Sequence, residues 1–338
     1  MNRKNFISLL IPLVSSHNLL DNKNHNTLNE DSAKIPPYLK KGDTIAITSP
    51  AGFISLADCT DAMNMIEQWG FKIKIGSSIG KKDFTFGGTD EERLADFQQL
   101  LDDENVNAIM CARGGYGIVR IIDKINFSKF VKKPKWIIGF SDATVLHSHI
   151  NKNYRIATIH SKMCNSFVSP QVAEPIQLET LDSIRKCLSG EKMTYTIPAN
   201  ANNKAGKAKG IMVGGNLKTL ESLAASASDI NTKNTILFVE DTGEYLYSID
   251  RMFYNLQRSG KLANLAALIV GGFKIKKDDV GAEFGKTLEQ IVLEKVAKYN
   301  YPVCFDFPVG HQKNNFALKC GVVNELNIDN FNNTLKEI

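Results

Sequence analysis

Short apolar runs alternate with segments of helical period along most of this chain, and that alternation restricts its fold more than any other feature. Thr44–Ser49, Val106–Ala112, Trp136–Ile138, Thr235–Val239 and Leu265–Val270 are too short to be buried helices and read as strands. Between the first of them, Met63, Ile66 and Trp69 recur at helical spacing, and Leu94, Phe97, Leu100 and Leu101 fill one face of a second helix. That helix opens at Thr89-Asp90-Glu91-Glu92, where Thr89 and Glu92 can satisfy each other's backbone donors. Strand and helix in alternation predict a parallel, doubly wound sheet. In such sheets ligands collect at the carboxyl ends of the strands.

The pattern weakens between about Ser169 and Lys209, which divides the chain into an N-terminal domain over 36–168, a linker over 169–209 and a C-terminal domain over 210–338. Within the linker, Glu174–Leu188 reads as a connecting helix and Tyr195–Gly206 has no period. The C-terminal part adds helices over Leu217–Ala225, Ser248–Ser259 and Glu283–Lys298, and strands on either side of Gly321. Ahead of all this, residues 1–35 read as a leader. Arg3-Lys4 precede an apolar run from Phe6 to Val14, as in a secretory signal, and a polar Asn-rich stretch follows. Pro12 interrupts the run and no clear cleavage site follows, so export and retention both stay open. No segment approaches transmembrane length. A formal charge of +5 on 338 residues, with no Lys/Arg run, argues against a nucleic-acid partner. The six cysteines form no C-x-x-C pair and read as buried free thiols, with no spacing suited to a metal.

Two turns fall at the carboxyl ends of strands. In Lys135-Trp136-Ile137-Ile138-Gly139-Phe140-Ser141-Asp142-Ala143-Thr144, a serine sits between a strand and a helix with small residues two positions to either side. That is the pattern of a nucleophile elbow, with Ala143 in place of the last glycine of G-x-S-x-G. Read alone, the stretch is also a helix N-cap, which is the commoner use of Ser and Asp. The second turn, Arg113-Gly114-Gly115-Tyr116-Gly117, can cradle a phosphate, present a backbone N–H, or simply close a tight turn. It carries neither a dinucleotide fingerprint nor a P-loop lysine.

A nucleophilic serine needs a base and the base an orienting group. Of the histidines outside the leader, His147 and His149 lie on the helix behind Ser141 and read as packing or solvent-facing. His160 ends a strand-like run and could reach a cleft, and His311 lies in the loop Pro308-Val309-Gly310-His311-Gln312. Either could be a base, and either could be an ordinary hydrogen-bonded histidine. Glu240, Asp241 and Glu244 cluster after a buried strand, where a carboxylate can orient a histidine. The cluster could also be a solvated acidic turn or pair with Arg251. Two-carboxylate glycosidase chemistry would leave Ser141 and His311 without a role.

Several blocks together resemble the LD-carboxypeptidases, a family of serine peptidases that includes muramoyl-tetrapeptide carboxypeptidase and the microcin C immunity peptidases. They are Phe86-Gly87-Gly88-Thr89-Asp90-Glu91-Glu92-Arg93, the turns at 111–117 and 135–142, Val213-Gly214-Gly215-Asn216-Leu217, Phe238–Glu244 with Asp250-Arg251, and Phe307–His311. The resemblance implies a Rossmann-like parallel-sheet N-terminal domain and a smaller β-rich α+β C-terminal domain, with the site between them. It implies a catalytic triad of Ser141, Glu240 and His311, and an oxyanion hole of the backbone N–H groups of Gly115 and Asp142. No metal and no cofactor are expected. The substrate implied is a small peptide, a muropeptide tetrapeptide that loses its terminal D-alanine during wall recycling. The alternatives are a microcin-like aminoacyl adenylate or other amide, and an inactive muropeptide-binding protein. A second copy of the chain is a candidate partner. The family default is cytoplasmic, with export if residues 1–16 act as a signal. One departure stands out: after the strand that follows the serine helix the family usually has His-Gly-Pro, and this chain has His160-Ser161-Lys162.

Overall fold

The structure is a computed structural model that describes residues 33–329 and 333–338, so the expected signal lies outside the described residues. The strands are β1 (Thr44–Thr48), β2 (Lys72–Ile75), β3 (Ala108–Cys111), β4 (Trp136–Gly139), β5 (Thr158–His160), β6 (Thr194–Ile197) and β7 (Gly206–Asn216). They continue with β8 (Thr235–Glu244), β9 (Ala267–Ile275), β10 (Val303–Cys304), β11 (Leu318–Cys320), β12 (Val323–Ile328) and β13 (Asn333–Glu337). The helices are α1 (Thr60–Gln68), α2 (Asp90–Asp102), α3 (Ser128–Lys132), α4 (Thr144–Tyr154), α5 (Pro175–Ser189), α6 (Leu217–Ser222), α7 (Leu246–Arg258) and α8 (Leu288–Val296).

The first sheet has the order β11-β5-β4-β3-β1-β2 and is parallel apart from β11. Every residue of β3 and β4 is buried, as expected of parallel strands covered on both faces. One core cluster is built on Ile45, Ile47, Trp136 and Ile138, and the other on Phe97, Ile109, Ile137 and Leu146. Along β4, Trp136 and Ile138 point to one side of the sheet and Ile137 to the other, where Phe97 of α2 and Leu146 of α4 cover it. The capping box expected at Thr89 and Glu92 is formed, and it starts α2.

The second sheet has the order β10-β9-β8-β7-β12-β13-β6. Its first four strands run parallel, and β12, β13 and β6 add an antiparallel flank. Helices α7 and α8 cover one face through Ile249, Met252, Phe253, Leu256, Ile291 and Val292. The described residues belong to one compact unit.

Three features differ from the sequence reading. Helix α5, in the stretch 169–209, belongs to the first core through Leu181, Ile184, Cys187 and Leu188. Tyr195 and Ile197, in the part without evident period, alternate buried with exposed as β6. The strands around Gly321 do not stay together either: β11 pairs with β5 in the first sheet, whereas β12 pairs with β7 in the second. Gly321, at φ +89°, makes the turn between the sheets.

Candidate active site

Ser141 follows β4 with φ +59°, a left-handed conformation rare outside glycine. It lies in a single tight turn, Ser141–Ala143, that leads into α4, and no side-chain cap bond is made at the start of that turn or of α4. The N-cap reading therefore does not describe how the residue is used. The small flanks are a packing requirement. A Cβ on Gly139 would lie 2.8 Å from Ala143 Cβ and 3.2 Å from Cys111 Cβ. The curvature that turns the serine outward brings these two residues against each other.

The Gly-rich turn after β3 meets the serine directly. A Cβ on Gly114 would stand 3.0 Å from Ser141 Oγ, so the bare backbone of this turn is what borders the hydroxyl. Gly115, at φ +104°, continues the same turn. Asp142 points away from the cleft: its Oδ2 accepts the Ile118 N–H at 2.9 Å. Burial pushes the Asp142 carboxyl up to about 6, against the opposing pull of that N–H bond and of Arg93.

The histidine arrives from the other sheet. His311 Nδ1 donates to Glu240 Oε2 at 2.5 Å, and Glu240 is fully buried towards the carboxyl end of β8. In the neutral ring this hydrogen bond selects the Nδ1–H tautomer, which puts the lone pair on Nε2. Gly310 makes the approach feasible. At φ +100°, a Cβ there would overlap Glu240 Cβ and lie 2.8 Å from Glu240 Cγ. The His311 ring also packs on Phe140, with centroids 4.9 Å apart, which places it beside the residue preceding Ser141.

Ser141, Gly114 and Gly115 line one cleft of about 280 Å³ with His311, Gly310, Lys162 and Lys274. The carboxyl ends of both sheets' strands thus feed a single site. A larger cavity of about 530 Å³ lies at the amino ends of β3 and β4, beside Pro37, Val106 and Lys135. It holds none of these groups and opens at the end of the sheet where ligands do not usually bind.

The other candidates fall elsewhere. His160 is fully buried, with its ring 4.9 Å from Phe238 and 5.9 Å from Phe140, so it does not reach the cleft. Desolvation holds its pKa well below the usual histidine value. His147 and His149 are buried as well. His147 Nε2 donates to the Gly139 carbonyl at 2.9 Å and its Nδ1 accepts from Thr158 Oγ1 at 2.9 Å, tying α4 to the elbow strand. Asp241 is occupied structurally: it accepts from Asn216 Nδ2 and from the backbone N–H groups of Lys218 and Thr242. Glu244 accepts from Ser248 Oγ, and Arg251 lies over the Tyr247 ring. Among the described residues no group of three or more His, Cys, Asp or Glu is placed to hold a metal ion.

The sequence reading passed over Thr144 and Asn216. Thr144 Oγ1 accepts the Asn216 N–H at 3.0 Å, which clasps the start of α4 to the end of β7. Gly215, at φ +142°, lets the two chains touch, since a Cβ there would lie 2.7 Å from Thr144 Cγ2. The Gly214-Gly215-Asn216 pattern was visible, but what it packs against was not.

Comparison with known proteins gives concordant matches. Residues 45–161 match the family model described as LD-carboxypeptidase N-terminal domain, and residues 209–326 match LD-carboxypeptidase C-terminal domain. A probable murein peptide carboxypeptidase of Bacillus subtilis (strain 168) is 32% identical over 86% of this chain and 91% of its own length. The crystal structure of muramoyltetrapeptide carboxypeptidase from Oxalobacter formigenes is 25% identical, with a TM-score of 0.78 over 87% of this chain and 98% of that one. The microcin C7 self-immunity protein MccF of Escherichia coli is 26% identical over 88% of this chain and 94% of its own length.

Proposed function

The chain belongs to the LD-carboxypeptidase family, and on that premise we propose that it is a serine carboxypeptidase releasing the terminal D-alanine from muropeptide tetrapeptides in cell-wall recycling. The names of the Bacillus and Oxalobacter relatives support this choice of substrate. The observation that carries the chemistry is the 2.5 Å His311–Glu240 bond in the cleft that also holds the left-handed Ser141.

In the proposed reaction Ser141 Oγ attacks the scissile carbonyl carbon while His311 Nε2 takes the hydroxyl proton. Glu240 keeps the Nδ1–H tautomer and stabilises the imidazolium that forms. The backbone N–H groups of Gly115 and Asp142 receive the oxyanion, which requires no side-chain donor. Collapse of the intermediate breaks the amide bond, and the leaving amine of D-alanine takes the proton from His311. Water, deprotonated by the same imidazole, then hydrolyses the acyl-serine and returns the proton to the serine oxygen.

A covalent fluorophosphonate probe tests the reading against an inactive binding protein. The expected result is labelling of Ser141, located by peptide mass spectrometry, and strong slowing of labelling in His311→Ala. Ser141→Ala should remain folded and lose on the order of 10⁶ in kcat. Absence of labelling, or more than a tenth of the activity left in folded Ser141→Ala, would contradict the assignment.

A further inference from the structure

The cleft that holds Ser141 and His311 is lined by Arg113, Lys162 and Lys274 and, among the described residues, by no aspartate or glutamate. Lys162 owes its place to the sheet. β5 runs parallel to β4 with His160 opposite Gly139, so residue 162 emerges one strand over from the elbow, at the same end. Its side chain is fixed from the far side of the cleft, where Nζ donates to the Gln312 carbonyl at 3.0 Å. Gln312 is held in turn, its Nε2 donating to the Phe307 and Val309 carbonyls at 2.9 and 3.2 Å. Among the described residues neither Lys162 nor Lys274 has a carboxylate within 4.0 Å. Lys162 thus brings a half-buried, uncompensated ammonium to a site beside the proposed nucleophile.

We propose that Lys162, supported by Lys274, binds the free α-carboxylate of the peptide's terminal residue and so makes this chain select carboxyl-terminal peptides. The inference rests on the carboxypeptidase reading, because such a substrate carries a carboxylate next to the scissile amide. Lys162 Nζ has donors to spare beyond its bond to Gln312, and a charge-assisted bond to carboxylate is the strong kind available to it. Burial and the neighbouring Lys274 pull the Lys162 amine down to about 8, a penalty that an incoming anion would relieve. Lys162 does not act on the reacting atoms. It fixes where the terminal residue lies, and through that which amide faces Ser141.

The test separates this inference from the function it rests on. Ser141→Ala protein binds a muropeptide tetrapeptide, and the same peptide with its terminus amidated, with Lys162 intact or changed to Met, and calorimetry gives the Kd values. Circular dichroism and melting confirm that each variant is folded. The expected result is a preference for the carboxylate of about 10- to 100-fold that Lys162→Met removes and Lys162→Arg retains in part. In the Ser141 enzyme, Lys162→Met should raise KM far more than it lowers kcat. Equal affinity for the two peptides, or a carboxylate preference that survives Lys162→Met, overturns the inference even if the wild type cleaves the peptide. Lack of cleavage by the wild type would count against the carboxypeptidase reading alone, since the binding comparison does not depend on turnover.

Discussion

Ser141 keeps a left-handed backbone that costs a non-glycine residue on the order of 1–3 kcal/mol, and the packing of Gly139, Ala143 and Gly114 around it holds it there. Its position was legible because an apolar run bounded by Pro134 and Gly139 can only be a short strand, which leaves the serine at the turn. The partnership of His311 with Glu240 was not legible from spacing, because 71 residues separate them and sheet topology alone brings them together. His160 looked equally available. Its fate depends on Phe140 and Phe238 closing over the ring, which no local pattern announces. Asp142 offers a prediction at this scale. Its carboxyl is raised from 3.8 to about 6, so the folded state holds that proton more tightly than the unfolded chain. The contribution to stability is therefore full below about pH 3.8 and lost as pH rises through about 6. Asp142→Asn should gain roughly 2 kcal/mol at pH 7 and little at pH 3.5, measured as the difference in denaturant-unfolding free energy. Because the proposed oxyanion donor is the backbone N–H, kcat/KM should stay within a few-fold of wild type. A hundredfold loss in a folded variant would assign a role to the side chain itself.

At the scale of elements, the Asn216–Thr144 bond joins the end of β7 to the helix behind Ser141. The strands β8 and β9 and helices α4 and α7 were legible from apolar runs and helical period, whereas β7 begins inside the stretch read as linker. The exchange of β11 into the first sheet was not, since its three residues look like any other strand and pair antiparallel with β5 only by tertiary placement. Gly215→Ala tests how far the clasp matters. The added methyl must find room 2.7 Å from Thr144 Cγ2, on a backbone at φ +142° that alanine disfavours. A loss of about 2–4 kcal/mol is expected, seen as a lower melting temperature, together with a fall in kcat from displacement of the elbow. Unchanged stability and turnover would show that the two elements meet without energetic consequence.

For the molecule as a whole, the site draws its groups from strand ends of both sheets. Ser141 and the Gly114-Gly115 turn come from the first sheet, His311 and Glu240 from the second. The alternation of strand and helix made the first sheet readable. The antiparallel flank of the second rests on short strands whose order no sequence period encodes. Lys162 is a third kind of case: nothing in its local sequence announces a role, and its place in the cleft is supplied only by the fold. The central claim, that these converging groups hydrolyse the bond to a terminal D-amino acid, is tested most directly by incubating the purified protein with a muropeptide tetrapeptide and following the products by mass spectrometry. The account predicts release of free D-alanine and accumulation of the tripeptide by the wild type, with neither product formed by folded Ser141→Ala. An intact tetrapeptide after prolonged incubation with folded wild type, or equal release by Ser141→Ala, would contradict it.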